Sequence, residues 1–262
     1  MVIGGAAEVP GALVLAGTAA LRVGAGKLKI AGPRSAQSAL GVAMPEARVI
    51  GLPETGEGFL DRRSASRAAH VANAEAILIG PGMLNDESIR GFMDEIIRPL
   101  ADKMLVIDAL ALSALRGGRY HFSEDTNVVL TPNIKEMSRI TGDTTETIQR
   151  DCQGVALRVA RDLNAVVALK GAETFIASPY GEVFRYAEGD VGLATSGSGD
   201  VLAGALVGLL ARGATPDQAA VWAVYLHGEV GNRLGRRIGS IGFLARELCD
   251  EIPQIVNALS KR

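Results

Sequence analysis

Short runs of apolar, β-favouring residues alternate with longer amphipathic segments along most of the chain. The runs are KLKIA from position 27, RVIGL from 48, AILIG from 76, MLVID from 104, NVVLT from 127 and AVVALK from 165. Segments with helical periodicity lie between them, among them 11–23, 86–100, 146–163 and 216–234. Strands that alternate with helices predict an α/β fold, in which a doubly wound, mostly parallel sheet carries helices on both faces.

The last two apolar runs differ from the others because a short turn joins them. They are TFIAS from 174 and GEVFR from 181, and the turn is PYG. This pattern predicts a β-hairpin that forms an edge or a flap. No repeat or linker divides the chain, so we expect a single domain over residues 1–262. MVI directly before Gly4 is short for a buried first strand, which hints at further residues or a whole domain upstream.

Composition narrows the class of partner. The chain is 48% hydrophobic and 21% charged, which provides a substantial core and makes disorder implausible. A net charge of -2 with scattered basic residues predicts no nucleic-acid partner and favours a small-molecule ligand. No run is long enough for a membrane span, and Glu8 occupies the place of a basic signal-peptide region. Cys152 and Cys249 form no metal or disulfide motif, which suits a reducing cytoplasm.

Glycines, acids and a lysine follow several of the predicted strands. They are Gly4-Gly5, Gly80-Pro81-Gly82, Asp108, the TPNIKE segment from 131, and Lys170-Gly171. Each of them alone predicts no more than a tight turn. Ligands of open parallel sheets bind beyond the carboxyl ends of the strands, so five such features at one edge favour a binding site.

The segment LATSGSGDVLAGALVGLL, residues 193–210, places glycines and hydroxyls before a long apolar run. A helix that begins near Gly199 directs free N–H groups and the positive end of its dipole at an anion such as phosphate. Asp200 then lies beside that anion, where a carboxylate can act as an acid–base residue. In the alternative interpretation, Ser198 or Asp200 only caps the helix.

Five further residues carry specific expectations. Asn133 and Glu136 either form a capping box or orient water on Mg²⁺. Lys170 ends an otherwise apolar run, which fits a charge directed at a polyphosphate better than a surface lysine. His227 lies on a helix with an apolar face and is more typical of a packed, hydrogen-bonded histidine than of a base. Trp222, the single tryptophan, is expected in the core.

Taken in order, six segments resemble the ADP/ATP-dependent NAD(P)H-hydrate dehydratases, which are members of the ribokinase-like superfamily. They are GGAAEVPGALVLAGTAALRVGAG from position 4, IGPGM from 79, LTPNIKEMSRITG from 130, KGAET from 170, ATSGSGDVLAGALVGLLARG from 194 and YLHGEVG from 225. GSGD alone is shared with sugar and vitamin kinases, whereas the ordered set is specific. The resemblance implies a repair enzyme that uses ADP or ATP to dehydrate the S epimer of hydrated NADH or NADPH.

The resemblance also implies a role for particular residues. The hydrated dinucleotide would be bound by Ala12, Gly82, Asn133, Glu136, Arg139 and Asp200. The nucleotide would be held by Lys170, Gly171, Ala172, Glu173, Thr174, Gly197, Ser198 and Gly199. With Asp200 as the catalytic residue, the terminal phosphoryl group would pass to the hydroxyl of the hydrated ring, and its elimination would restore the dihydropyridine. Mg²⁺ would serve as cofactor, with Glu136 as a ligand through water.

Two positions depart from the family pattern. Leu110 stands where many relatives have a second acid, in DALAL instead of DADAL, so any role of that acid is absent here. Asn133 stands where bacterial relatives often carry histidine, although asparagine occurs there in eukaryotic dehydratases.

Two other functions compete with the dehydratase. A vitamin-precursor kinase of the ribokinase type would release a stable phosphorylated product, and a non-catalytic nucleotide-binding protein would bind without turnover. For the dehydratase, the family implies a homo-oligomer, with a tetramer favoured, a cytoplasmic location, and a fused or separate NAD(P)H-hydrate epimerase as partner.

Overall fold

The computed structural model describes residues 1–118, 120–123 and 127–260, and in this part of the chain nine strands form one sheet. The strands are β1 (Val2–Ile3), β2 (Leu28–Pro33), β3 (Ala47–Leu52), β4 (Ala76–Ile79), β5 (Met104–Ile107), β6 (Val128–Leu130), β7 (Val166–Leu169), β8 (Thr174–Ala177) and β9 (Val183–Tyr186). Their spatial order is β3-β2-β1-β4-β5-β6-β7-β8-β9. Strands β1 to β7 pair in parallel, whereas β8 and β9 are antiparallel. The predicted parallel sheet is confirmed, and the predicted hairpin forms its edge.

Helices cover both faces of the sheet. They are α1 (Gly11–Arg22), α2 (Gln37–Ala43), α3 (Arg62–Val71), α4 (Asp86–Ile96), α5 (Ile134–Thr141), α6 (Thr145–Arg150), α7 (Cys152–Leu163), α8 (Ser198–Ala211), α9 (Pro216–Arg237) and α10 (Ala245–Ser260). One apolar core lies under α3 to α7, and the other lies under α1, α2, α8, α9 and α10. The doubly wound arrangement is therefore confirmed. None of the helices in the described ranges is long and apolar enough to cross a membrane.

Some helical predictions need correction. The segment 146–163 forms two helices, because Asp151 adopts a non-helical backbone and its carboxylate caps α7 by accepting a hydrogen bond from the Gly154 N–H at 2.8 Å. The prediction that Trp222 lies in the core is wrong, since 46% of its surface is exposed. Trp222 lies beside the buried stripe of α9, and its ring packs edge-on against Tyr225 at 5.8 Å.

The winding of the sheet creates a crevice beside its first strand. The chain proceeds from β1 to β2 and β3 on one side, and from β4 onward on the other. The switch point of such a sheet, here between β1 and β4, is where ligands bind in open α/β folds. The segment after β1 leads into α1, and the segment after β4 contains Gly80 and Gly82. The fold therefore places the glycine turns of the sequence at its natural ligand crevice.

Helices α1 and α8 pack closely because two glycines of α8 face the backbone of α1. A Cβ at Gly204 would overlap the Ala16 carbonyl oxygen, and one at Gly208 would lie 2.7 Å from the Ala20 carbonyl oxygen. Both contacts advance by four residues along each helix, so the helices run parallel in register. Continuing this register toward the N-termini brings Ala12 level with Asp200.

Candidate active site

The N-terminus of α8 is open to an anion. The helix begins at Ser198, after Gly197 in the left-handed conformation at φ 85°, close to the predicted start. No side chain of the described residues caps it, so the interpretation of Ser198 or Asp200 as a cap is wrong. Ser198 Oγ instead lies 2.8 Å from His227 Nε2. The first-turn N–H groups and the helix dipole are therefore directed at a ligand position.

His227 is a packed, hydrogen-bonded histidine, as predicted. Besides its contact with Ser198 Oγ, its Nε2 lies 3.1 Å from the Ser198 carbonyl oxygen. Burial lowers the pKa of His227 to about 4, although the hydrogen bond to the Ser198 backbone opposes this effect. The imidazole is therefore neutral at physiological pH, and it fixes the first residue of α8 in position.

Lys170 follows β7 and is held by a buried acid from another strand. Its Nζ donates to Asp108 Oδ1 at 3.0 Å, and the same oxygen accepts from Thr131 Oγ1 at 2.6 Å. Asp108 is only 2% exposed. Burial acts to lower the pKa of Lys170, but the carboxylates of Asp108 and Glu136 outweigh it and raise that pKa above the usual value. Lys170 is thus a fixed, permanent positive charge at the carboxyl edge of the sheet.

Asp200 completes a set of four charged side chains, Lys170, Asp108, Glu136 and Asp200, that we call the Lys170 cluster. Burial raises the pKa of Asp200 to about 7, with Asp108 and Glu136 adding to the effect and Lys170 opposing it. Burial also raises the pKa of Glu136. A carboxyl group that titrates near neutral pH can both accept and return a proton under working conditions. The raised pKa of Asp200 is compatible with acid–base chemistry, and its catalytic role stays a prediction.

Asn133 and Glu136 form a capping box at the start of α5. Asn133 Oδ1 accepts from the Glu136 N–H at 2.9 Å, and Glu136 Oε2 accepts from the Asn133 N–H at 2.8 Å. Asn133 also lies beside Lys170, because the Lys170 N–H donates to the Pro132 carbonyl at 2.8 Å. The capping interpretation thus describes the geometry, and Glu136 Oε1 has no hydrogen-bond partner among residues 1–118, 120–123 and 127–260.

A cleft of about 600 Å³ lies next to the α8 N-terminus. Of the eight residues that the resemblance assigned to the nucleotide, those in the cleft wall are Lys170, Gly171, Ala172, Thr174, Ser198 and Gly199. Tyr186 and Val224 contribute apolar surface to the same wall. Glu173 and Gly197 do not line it, and the Glu173 carboxylate accepts from Arg185 Nε at 2.7 Å on the exposed hairpin. A cleft of this size with convergent polar groups is typical of a small-molecule site.

Ala12 and Gly82 meet at the switch point. A Cβ at Gly82 would lie 2.9 Å from the Ala12 Cβ, and Gly82 adopts φ 66°, which favours glycine. Asp200 lies in the first turn of α8, directly after Ser198 and Gly199 of the cleft wall. Arg139 lies farther along α5 in the wall of a separate cavity.

The sequence pointed to Asp108 as an acid after a buried strand but not to its role. Its partners, Lys170 and Thr131, follow two other strands, so no local pattern links them. Leu110, in the place of the family's second acid, packs half-buried against the core beneath α3 to α7. Asp108 is therefore the acid that this segment contributes to the Lys170 cluster.

The fold and this site define a ribokinase-like α/β enzyme with a small-molecule cleft at the carboxyl edge of its sheet. The model of the NAD(P)H-hydrate dehydratase family matches residues 1–254, and the chain belongs to that family. The ADP-dependent (S)-NAD(P)H-hydrate dehydratase of Xanthomonas campestris is 41% identical over 261 residues, which are 100% of this chain and 89% of that protein. The bifunctional NAD(P)H-hydrate repair enzyme of Moorella thermoacetica is 37% identical over 263 residues, and the match covers 49% of its length.

A solved structure agrees with this assignment. The ADP/ATP-dependent NAD(P)H-hydrate dehydratase of Bacillus subtilis, co-crystallised with ATP and Mg²⁺, superposes with a TM-score of 0.85 at 31% identity. The match covers 98% of this chain and 88% of that one. The ribokinase-like fold predicted from the sequence is therefore confirmed along nearly the whole chain.

Proposed function

We propose that this protein dehydrates the S epimer of hydrated NADH or NADPH back to NAD(P)H, with ADP or ATP as co-substrate. The observation that carries the proposal is the uncapped α8 N-terminus, where the Asp200 carboxyl group titrates near pH 7 between the nucleotide cleft and the Ala12–Gly82 contact. Membership of the family supports the same reaction.

The nucleotide occupies the cleft with its terminal phosphate at the start of α8. The backbone N–H groups there and the Lys170 ammonium group stabilise the charge that develops on the transferring phosphoryl group. Asp108 holds Lys170 at that edge through the 3.0 Å contact. His227 keeps Ser198 in place, so the N-terminal turn of α8 is organised before the nucleotide arrives.

Asp200 accepts the proton of the ring hydroxyl while the hydroxyl oxygen attacks the terminal phosphorus of the nucleotide. The bond between that phosphorus and the bridging oxygen of the nucleotide breaks, so ADP becomes AMP or ATP becomes ADP. The ring nitrogen lone pair then assists cleavage of the carbon–oxygen bond, and phosphate leaves. Loss of a proton from the neighbouring ring carbon restores the double bond of the dihydropyridine.

We propose Mg²⁺ as the metal of this reaction. The Lys170 cluster contains three carboxyl groups and one ammonium group, so a divalent cation would offset its excess negative charge. In the described residues, no three His, Cys, Asp or Glu side chains are arranged to hold a metal by themselves. Mg²⁺ keeps several waters and binds nucleotide phosphates, so Glu136 would hold it through water. When bound, the metal would neutralise phosphate charge.

We further propose the context in which the enzyme acts. Some relatives carry two activities, and this chain spans about half of their length. We therefore propose an NAD(P)H-hydrate epimerase, fused or separate, that supplies the S epimer. We also propose that residues 1–262 form a single catalytic domain and that the protein is a homo-oligomer, with a tetramer favoured. A cytoplasmic location completes the proposal and suits the free thiols of Cys152 and Cys249.

The test is incubation of the purified protein with Mg²⁺, hydrated NADH and either ADP or ATP. Recovery of the dihydronicotinamide absorbance, with one phosphate released per dinucleotide repaired, supports the dehydratase. A stable phosphorylated product would instead support a vitamin-precursor type of kinase, and nucleotide binding without turnover would support a non-catalytic protein. A reaction without nucleotide controls for spontaneous dehydration.

A further inference from the structure

A second cavity, of about 260 Å³, lies on the face of the sheet covered by α3 to α7. Its lining residues are Ile89, Arg90, Ser113, Ala114, Arg116 and Arg139. Three of these six are arginines, and none is an acid. Within the described part of the chain, none of the three guanidinium groups forms an ion pair. We call this cavity the arginine pocket.

The topology places the arginine pocket behind the candidate active site. Arg90 lies on α4 after β4, Arg116 follows the 3-10 segment after β5, and Arg139 lies on α5 after β6. These three strands are neighbours and parallel. Asp108 and Asn133, which follow β5 and β6, belong to the candidate site, so the pocket and the site are built on the same neighbouring strands.

The separation between the candidate site and the arginine pocket suits a dinucleotide substrate. Arg139 lies six residues after Asn133, which corresponds to about 9 Å along α5. One ribose separates the hydrated ring of the substrate from its diphosphate, and such a unit spans a gap of this order. Burial raises the pKa of Glu136, and the positive charge of Arg139 partly opposes that rise.

We propose that Arg90 and Arg116, together with Arg139, form a subsite for a phosphate group of the hydrated dinucleotide. Guanidinium groups bind phosphate through paired hydrogen bonds, and a pocket with three of them and no acid selects a multiply charged anion. The phosphate is either the diphosphate that both hydrates share or the 2′-phosphate that only the NADPH hydrate carries. This subsite rests on the proposed function.

The experiment compares Arg90→Gln, Arg116→Gln and the double variant with the wild type. Both substituted side chains, Arg90 and Arg116, are exposed, so the folded structure is expected to persist, and a melting curve checks it. Arg48→Gln, on the exposed edge strand β3 at the far end of the sheet, is the matched control. We expect each single change to raise KM for the hydrate about ten-fold and the double change about a hundred-fold. We expect kcat and the KM for ADP or ATP to remain within about two-fold.

The two hydrates separate the two sources of phosphate. A rise in KM for both NADH and NADPH hydrate supports a diphosphate subsite, and a rise for NADPH hydrate alone supports a 2′-phosphate subsite. Unchanged KM for both hydrates, or a change confined to the nucleotide KM or to kcat, overturns the proposal.

Equilibrium binding of NADH and NADPH, measured by their fluorescence, tests the arginine pocket without turnover. Weaker binding by the double variant supports the subsite, and equal binding by variant and wild type overturns it. A wild-type protein that binds NADPH but does not dehydrate the hydrate would contradict the proposed function and leave the subsite standing.

Discussion

Replacing Asp200 by asparagine should remove most of the turnover and stabilise the folded protein at alkaline pH. Asparagine has nearly the same shape but cannot accept the proton of the ring hydroxyl. Positioned acid–base catalysis contributes about 10²–10⁴-fold to rate, so we expect kcat to fall by that factor. The affinity for ADP should change little, because the phosphate contacts proposed for Lys170 and for the α8 backbone do not involve the Asp200 side chain.

The expected gain in stability follows from the charge that the substitution removes. Burial and the neighbouring carboxylates raise the pKa of Asp200 from 3.8 to about 7, which corresponds to at most about 4 kcal/mol. The folded carboxyl group holds its proton more tightly than the unfolded one, so its contribution favours folding at low pH and is lost as pH rises from about 4 to 7. Because the side chain is partly exposed, we expect the variant to gain about 1–2 kcal/mol at pH 8.

The assay measures kcat with saturating ADP and hydrated NADH, and the free energy of urea unfolding at pH 5 and pH 8. Asp102→Asn is the matched control, because that surface carboxylate is 72% exposed and forms an ion pair with its neighbour Lys103. Turnover by Asp200→Asn within a few-fold of wild type would refute the catalytic role. An unfolding free energy that changes with pH as in wild type would show that Asp200 does not share the charge of the Lys170 cluster.

Three further predictions test the surrounding structure. Lys170→Met should weaken ADP binding about ten- to a hundred-fold in calorimetry. It should also destabilise the fold by about 3–5 kcal/mol, because it leaves the buried Asp108 carboxylate without its ion pair. Adding Asp108→Asn should restore the stability but not the affinity for ADP. Burial lowers the pKa of His227 from 6.5 to about 4, so the wild type should lose stability as the pH falls from about 6.5 to 4. In urea titrations, the free energy of unfolding of His227→Gln should fall less over the same pH range. Gly204→Ala should destabilise by about 1–3 kcal/mol and lower kcat, because its methyl group would overlap the Ala16 carbonyl; an unchanged melting temperature would contradict the close packing of α1 and α8.

Local features of the chain were sufficient to predict its elements and the start of its key helix. The apolar runs became the strands, since a buried strand needs only a short β-favouring segment between turns. The capping box at Asn133 and Glu136 forms within four residues, and Gly197, in the left-handed conformation, likewise fixes the beginning of α8. Both features depend on neighbours in sequence, which is why the pattern of residues was enough to find them.

The electrostatics of the site depend instead on contacts between distant segments. Lys170 and Asp108 are 62 residues apart and meet only because β5, β6 and β7 lie side by side. The shift in the pKa of Asp200 needs both burial and the carboxylates of Asp108 and Glu136, which are distant in sequence, so no local pattern contains it. Trp222 is exposed because the packing of α9 buries a different stripe of the helix. The sequence by itself determined the helices and strands and the polar residues at their ends. Tertiary packing alone decided which charged side chains share a low-dielectric site. The energies of burial and of charge pairs depend on distances between side chains, which the order of residues along the chain does not specify.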